Sequence, residues 1–128
     1  MISFDNFILK DDAPIYLQIL TFLKRGMIAG TVVNGDELPS RRVLSALLGV
    51  NPNTVQKAYR MLEEEGLVQS HSGAKSYVVL NDRTIADLRR QVLEGDGKAI
   101  VQALRQMGVS KAEALSLMER CWEEEEGN

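Results

Sequence analysis

The junction Gly49-Val50-Asn51-Pro52 restricts what this chain can fold into more than any other stretch. Before it, Ser40 is a good N-cap for a short helix packing Val43, Leu44, Leu47 and Leu48, and Gly49 stops that helix. After it, Asn51 serves as a second N-cap and Pro52 takes the first helical position, where a missing N–H costs nothing. Only Val50 separates stop from start. Two short helices joined this tightly cannot run parallel; they cross steeply, which is the geometry of a helix-turn-helix.

The helix that follows, about 52–65, divides by face. Val55, Ala58, Tyr59 and Leu62 form a core stripe, and Asn53, Gln56, Lys57 and Arg60 lie on the other side. Gly66 closes it. LVQSHS and SYVVL then read as two strands around Gly73-Ala74-Lys75, a small hairpin. Upstream, Asp12 can cap a helix with Pro14 in its first turn; Ile15, Ile19, Leu23 and Met27 recur every four residues, with Tyr16 and Leu20 beside them, and Gly30 ends it. Residues 2–9 read as a short extended arm, and Asn34-Gly35 as a turn. Three helices followed by a hairpin is the order of a winged helix.

Asn81-Asp82 restarts helix, with a seam through Ile85, Leu88, Val92, Ala99 or Ile100, Ala103 and Met107 that Gly95, Asp96 and Gly97 interrupt. One helix with a weak point and two helices with a kink are both compatible with that pattern. Ser110-Lys-Ala-Glu113 is a capping box that opens a last helix, with Leu115, Met118, Cys121 and Trp122 on one side. The expected fold class is therefore mainly α with a small β wing: a winged helix-turn-helix in 1–80 and a short two-helix element in 81–128. Leu88, Val92, Leu104, Met107, Leu115, Met118 and Trp122 are more apolar surface than two helices can bury against each other. They are expected to form a homodimer interface.

Composition bounds the alternatives. With 45% apolar and 26% charged residues a packed core is feasible. The apolar runs are far short of a membrane span, and MISFDNFILKDD carries acids where a signal peptide needs bases, so a cytoplasmic protein without membrane contact is expected. The single cysteine, Cys121, fits a reducing compartment. Net charge is −3, yet residues 1–80 hold eight Lys/Arg against eight Asp/Glu while 81–128 hold seven against ten. Charge alone does not point to nucleic acid; its distribution leaves room for it.

The outward face of the third helix carries the sharpest signal. Asn53, Thr54 and Gln56 can reach base edges, because an amide presents a donor and an acceptor together. Lys57 and Arg60 suit phosphate oxygens. Any surface helix has a polar face; the tight turn before this one and the hairpin after it favour DNA. Arg41 and Arg42 sit in the first turn of their helix, where cations oppose the helix dipole by a few tenths to about 1 kcal/mol, a cost a polyanion would offset. At the hairpin, Gly73 and Lys75 form a flexible basic tip and His71 stands on the approach, as a DNA contact or a plain surface imidazole. No G-x-S-x-G, Walker loop or G-x-G-x-x-G occurs, and one His and one Cys a domain apart make no metal site. No enzyme, metal or cofactor is expected.

The runs Pro14-Ile-Tyr-Leu-Gln-Ile19, Leu38-Pro-Ser-Arg-Arg42, Leu48-Gly-Val-Asn-Pro-Asn-Thr-Val55, Leu62-Glu-Glu-Glu-Gly-Leu67 and Tyr77-Val78 together resemble the GntR family of bacterial regulators over residues 14–79. Asn51 to Tyr59, with 48 residues after the wing, is similar to the YtrA subfamily. The resemblance implies a dimeric repressor on a double-stranded DNA operator, often of its own operon with an ABC transporter, whose C-terminal part is a dimerisation element. It places Arg42, then Asn53, Thr54 and Gln56, and Gly73 at DNA-contact positions; Ser40 and Arg41 beside them are also expected to contact DNA. Arg41 replaces a common glutamate, and Pro52 and Gln56 stand where many members carry arginine, so readout should lean on amides. Ala74 and Lys75 replace an Arg-Gly wing pair, leaving Lys75 as the wing cation. The competing reading is a winged helix used as a protein-interaction module. The sequence names no small-molecule effector.

Overall fold

The computed structural model describes residues 1–71 and 75–127, which form two units, Met1–Arg89 and Arg90–Asn128. The first contains α1 (Ile15–Ala29), α2 (Arg41–Leu48), α3 (Pro52–Glu64), β1 (Val68–His71) and β2 (Lys75–Val78). Helix α4 (Asp82–Gln106) spans the division, and α5 (Lys111–Glu126) belongs to the second unit. None of the described helices is long and apolar enough to cross a membrane.

In the first unit α1 and α2 both pack on α3, and α3 also packs on β1. The expected stripes fill the centre: Ile19, Leu23 and Met27 of α1 meet Leu44 of α2 and Val55, Ala58 and Leu62 of α3, all essentially without exposure. Each fully buried large aliphatic contributes about 1.5–3 kcal/mol relative to leaving it in water. The strands pair antiparallel with Val68 opposite Val78 and His71 opposite Lys75. The loop before α2 lends this hairpin a third edge. Val78 N–H donates to Asp36 O (2.8 Å), Leu38 N–H donates to Ser76 O (2.9 Å), and Glu37 bridges Tyr77.

Several expectations need correction. The arm before α1 does not run extended throughout: it turns at Asp5-Asn6, where Phe7 N–H donates to Phe4 O, and it packs down on the first unit. Ile2 and Phe4 are buried, and Phe4 and Phe7 stack against Phe22 with ring centroids 5.1 Å away in both cases. The Gln18 side chain clips the segment down, accepting from Lys10 N–H and donating to the carbonyls of Lys10 and Ala13. Asp12 caps nothing; Pro14 is the N-cap of α1 and offers no side-chain acceptor. On α2, Val43 and Leu47 are 54% and 65% exposed, and the inward face is Leu44 with Ser45. Lys75 is not at the hairpin tip but opens β2, while Gly73 lies outside the described residues.

Helix α4 runs unbroken through Gly95, Asp96 and Gly97, which decides between the one-helix and two-helix readings. Two glycines cost about 1 kcal/mol each in a helix interior, and 25 residues of continuous hydrogen bonding absorb that. Asn81 and Thr84 start the helix by exchanging side-chain and backbone bonds at 2.9 Å. In the second unit Ser110 caps α5 by accepting from Glu113 N–H (3.2 Å). No described residue of that unit is buried.

Candidate nucleic-acid interface

Hydrogen bonds at both ends hold the turn between α2 and α3 rigidly. Gly49 adopts φ 69°, a left-handed conformation costly for other residues, and its N–H donates to Ser45 O (2.9 Å). The Ser45 hydroxyl donates to Val50 O, which is how a polar side chain comes to be buried on the inward face of α2. Asn51 Oδ1 then accepts from Asn53 N–H (2.8 Å), and Pro52 occupies the first helical position. No sequence periodicity marks Ser45; only its place four residues before a helix-ending glycine could have drawn attention to it.

A second tie fixes where α2 begins. The Tyr59 hydroxyl, buried on α3, donates to Pro39 O at 2.7 Å, immediately before the Ser40 cap. Burial raises the phenol well above its ordinary value of 10.0, so it remains a donor at any pH at which the fold would be used. Ser40 Oγ accepts from Val43 N–H (3.1 Å), so its hydroxyl oxygen already serves α2 as a cap. Arg41 and Arg42 are exposed in the first turn, where α2 has no acid, and neither has an acidic partner among the described residues.

Along α3, Asn53, Lys57 and Arg60 are exposed and Thr54 and Gln56 half-buried, while Val55, Ala58, Tyr59 and Leu62 face inward. The helix thus presents amides at its start and cations further on. Lys57 Nζ stands 3.9 Å from the centroid of the Tyr16 ring, a contact between α3 and α1 that the sequence did not announce. Two of the three acids around the end of α3 have partners: Glu63 accepts from the Ser70 hydroxyl of β1, and Glu65 pairs with Lys24 of α1 at 2.7 Å. On the hairpin, His71 and Lys75 face each other in register, and the His71 ring meets Tyr77 edge-on at 5.2 Å.

The first unit therefore gathers the α2 start, the outward face of α3 and the hairpin onto consecutive elements. The residues expected at a subunit interface are divided differently. Leu88 is 4% exposed and belongs to the core of the first unit, so it is withdrawn from that set. Val92 and Leu104 are half-buried, and Met107, Leu115, Met118 and Trp122 are exposed, the last at 71%. No cluster of His, Cys, Asp or Glu able to hold a metal ion occurs among the described residues.

A family model described as "Bacterial regulatory proteins, gntR family" matches residues 15–78. The "HTH-type transcriptional repressor YtrA" of Bacillus subtilis is 36% identical over 98 residues, covering 77% of this chain and 71% of that protein. A "GntR family transcriptional regulator" of Listeria monocytogenes superposes with a TM-score of 0.77 at 28% identity, covering 88% of this chain and 98% of that one. "YtrA from Sulfolobus acidocaldarius, a GntR-family transcription factor" superposes at 0.55 with 32% identity, over 74% of this chain and 99% of that one. These relatives are transcription regulators rather than enzymes.

Proposed function

This chain belongs to the GntR family of bacterial regulatory proteins and is a DNA-binding transcriptional regulator, and from that premise we propose that it is a cytoplasmic repressor gripping an inverted-repeat operator as a homodimer. The outward face of α3 is the observation that carries the proposal. Its base-reading amides stand first, its cations follow, and an apolar patch suited to protein contact is missing from that helix's exposed positions. Asn53, Thr54 and Gln56 read bases. Arg41, Arg42, Lys57 and Arg60 hold phosphates, and His71, Gly73 and Lys75 bring the wing to the duplex. Control of an operon that encodes an ABC transporter fits the likeness to the YtrA subfamily.

Dimerisation falls to residues 81–128, with α5 and the C-terminal half of α4 as the interface. The support is physical. Helices that bury no side chain in a single chain beyond Leu88, and leave large apolar ones such as Met107, Leu115, Met118 and Trp122 exposed, need a partner to cover them. Ile100, Val101, Leu104, Leu115 and Met118 line an open groove of about 600 Å³. A second copy of the same helices is self-complementary by symmetry.

Substitutions on α3 test the readout. Asn53→Ala and Gln56→Ala should each relax base preference at particular operator positions and cost about 1–3 kcal/mol there. Lys57→Ala should weaken every duplex alike and lower the salt slope by about one. Competition binding against single-base operator variants measures both. Neutral amides with a base-selective Lys57 would mean that α3 presents the wrong face in this proposal.

A further inference from the structure

Most surface lysines are either free to wander or spent on an acid; Lys57 is neither. Its ammonium lies 3.9 Å over the ring of Tyr16, the second residue of α1. Lys24, by contrast, stands 2.7 Å from the Glu65 carboxylate. We infer that Tyr16 is a positioning residue for DNA binding, holding the Lys57 ammonium in place for a phosphate oxygen. The inference rests on the reading of α3 as the DNA helix and adds to it a residue on a different element.

The chemistry of the partner matters. A carboxylate orients a lysine by cancelling its charge, and a phosphate would then have to displace it. An aromatic face attracts the ammonium through the ring quadrupole and leaves the unit charge intact. Only one side of the ammonium is covered by the ring, and Lys57 remains exposed, so N–H donors stay available on the outer side. A lysine's long flexible stem loses much rotamer freedom when it binds a fixed acceptor, and a ring that already confines it lowers that loss.

The ring itself is well fixed. Tyr16 is half-buried on a helix anchored by Ile19, Leu20 and Leu23, and α1 packs directly on α3. The contact therefore joins two rigid elements of one core.

The full-length chain carries the test, with duplex affinity measured across a salt series and melting temperature recorded for each variant. Tyr16→Phe keeps the ring face and should retain affinity within about twofold. Tyr16→Leu should weaken operator and random duplex alike by about three- to tenfold. In a Lys57→Ala background the same change should add nothing, since the side chain it positions has gone. If Tyr16→Leu melts early, Tyr16→Met, which is also ringless, carries the comparison. A loss of affinity in Tyr16→Phe would overturn the inference in favour of a contact made by the hydroxyl. Additive effects of the two positions would overturn it too, as would ringless variants that bind like the parent. If Lys57→Ala alone left affinity and salt slope unchanged, the phosphate role of Lys57 would fail first, and the inference with it.

Discussion

Between about 50 and about 200 mM salt, affinity for the operator should fall by about 10³-fold or more. Five cations, Arg41, Arg42, Lys57, Arg60 and Lys75, lie on the α2 start, α3 and the hairpin of one copy, so a dimer brings ten toward the duplex. Engagement of about six phosphates is enough for a loss of that size, because each contact releases close to one condensed counterion. The prediction discriminates well because the chain as a whole carries −3. General cationic stickiness cannot produce a steep slope here; a local cationic surface must. A slope of about one or less would leave most of these residues without phosphates.

Removing the second unit should cost nearly as much. A chain ending at Arg89 should stay folded, sediment as a monomer and bind a full operator about 10²–10⁴-fold more weakly, the usual gain from tethering two modest binders. The cut belongs after Arg89 rather than near Leu80, because Leu88 is part of the first unit's core. In the full chain, Trp122→Ala should shift sedimentation toward monomer. Trp122 is the largest exposed apolar side chain on α5, and such aromatics tend to anchor interfaces. A dimeric 1–89 fragment would place the interface in the wrong unit.

The sequence revealed elements better than faces. Caps and stops placed α2, α3 and α5 because Ser40, Asn51-Pro52, Gly49 and Ser110 act locally, through hydrogen bonds within a turn of each. The facing of α2 was not legible. Val43, Leu44, Ala46, Leu47 and Leu48 are apolar nearly all round, so periodicity has nothing to select. A buried serine, satisfied by the turn carbonyl, decides the face instead.

Segments without periodicity were equally opaque. Phe4 joins the core through the Phe22 ring of α1, and Ile2 is tied by its N–H to Glu37 O; both partners are far along the chain from where these residues sit. The amide and cation positions of α3 follow directly from its stripe. The Tyr16–Lys57 contact and the Tyr59–Pro39 bond do not, since both depend on how helices and loops pack together in three dimensions.

The central claim, a symmetric pair of winged helices reading bases through α3, is tested most directly by selecting bound sequences from a random duplex library with the full-length chain. The expected outcome is an inverted repeat with half-sites about one helical turn apart, or a multiple of it, because protein symmetry sets operator symmetry. Recovery of unrelated single sites without a palindrome, or no enrichment over the starting library, would contradict the claim.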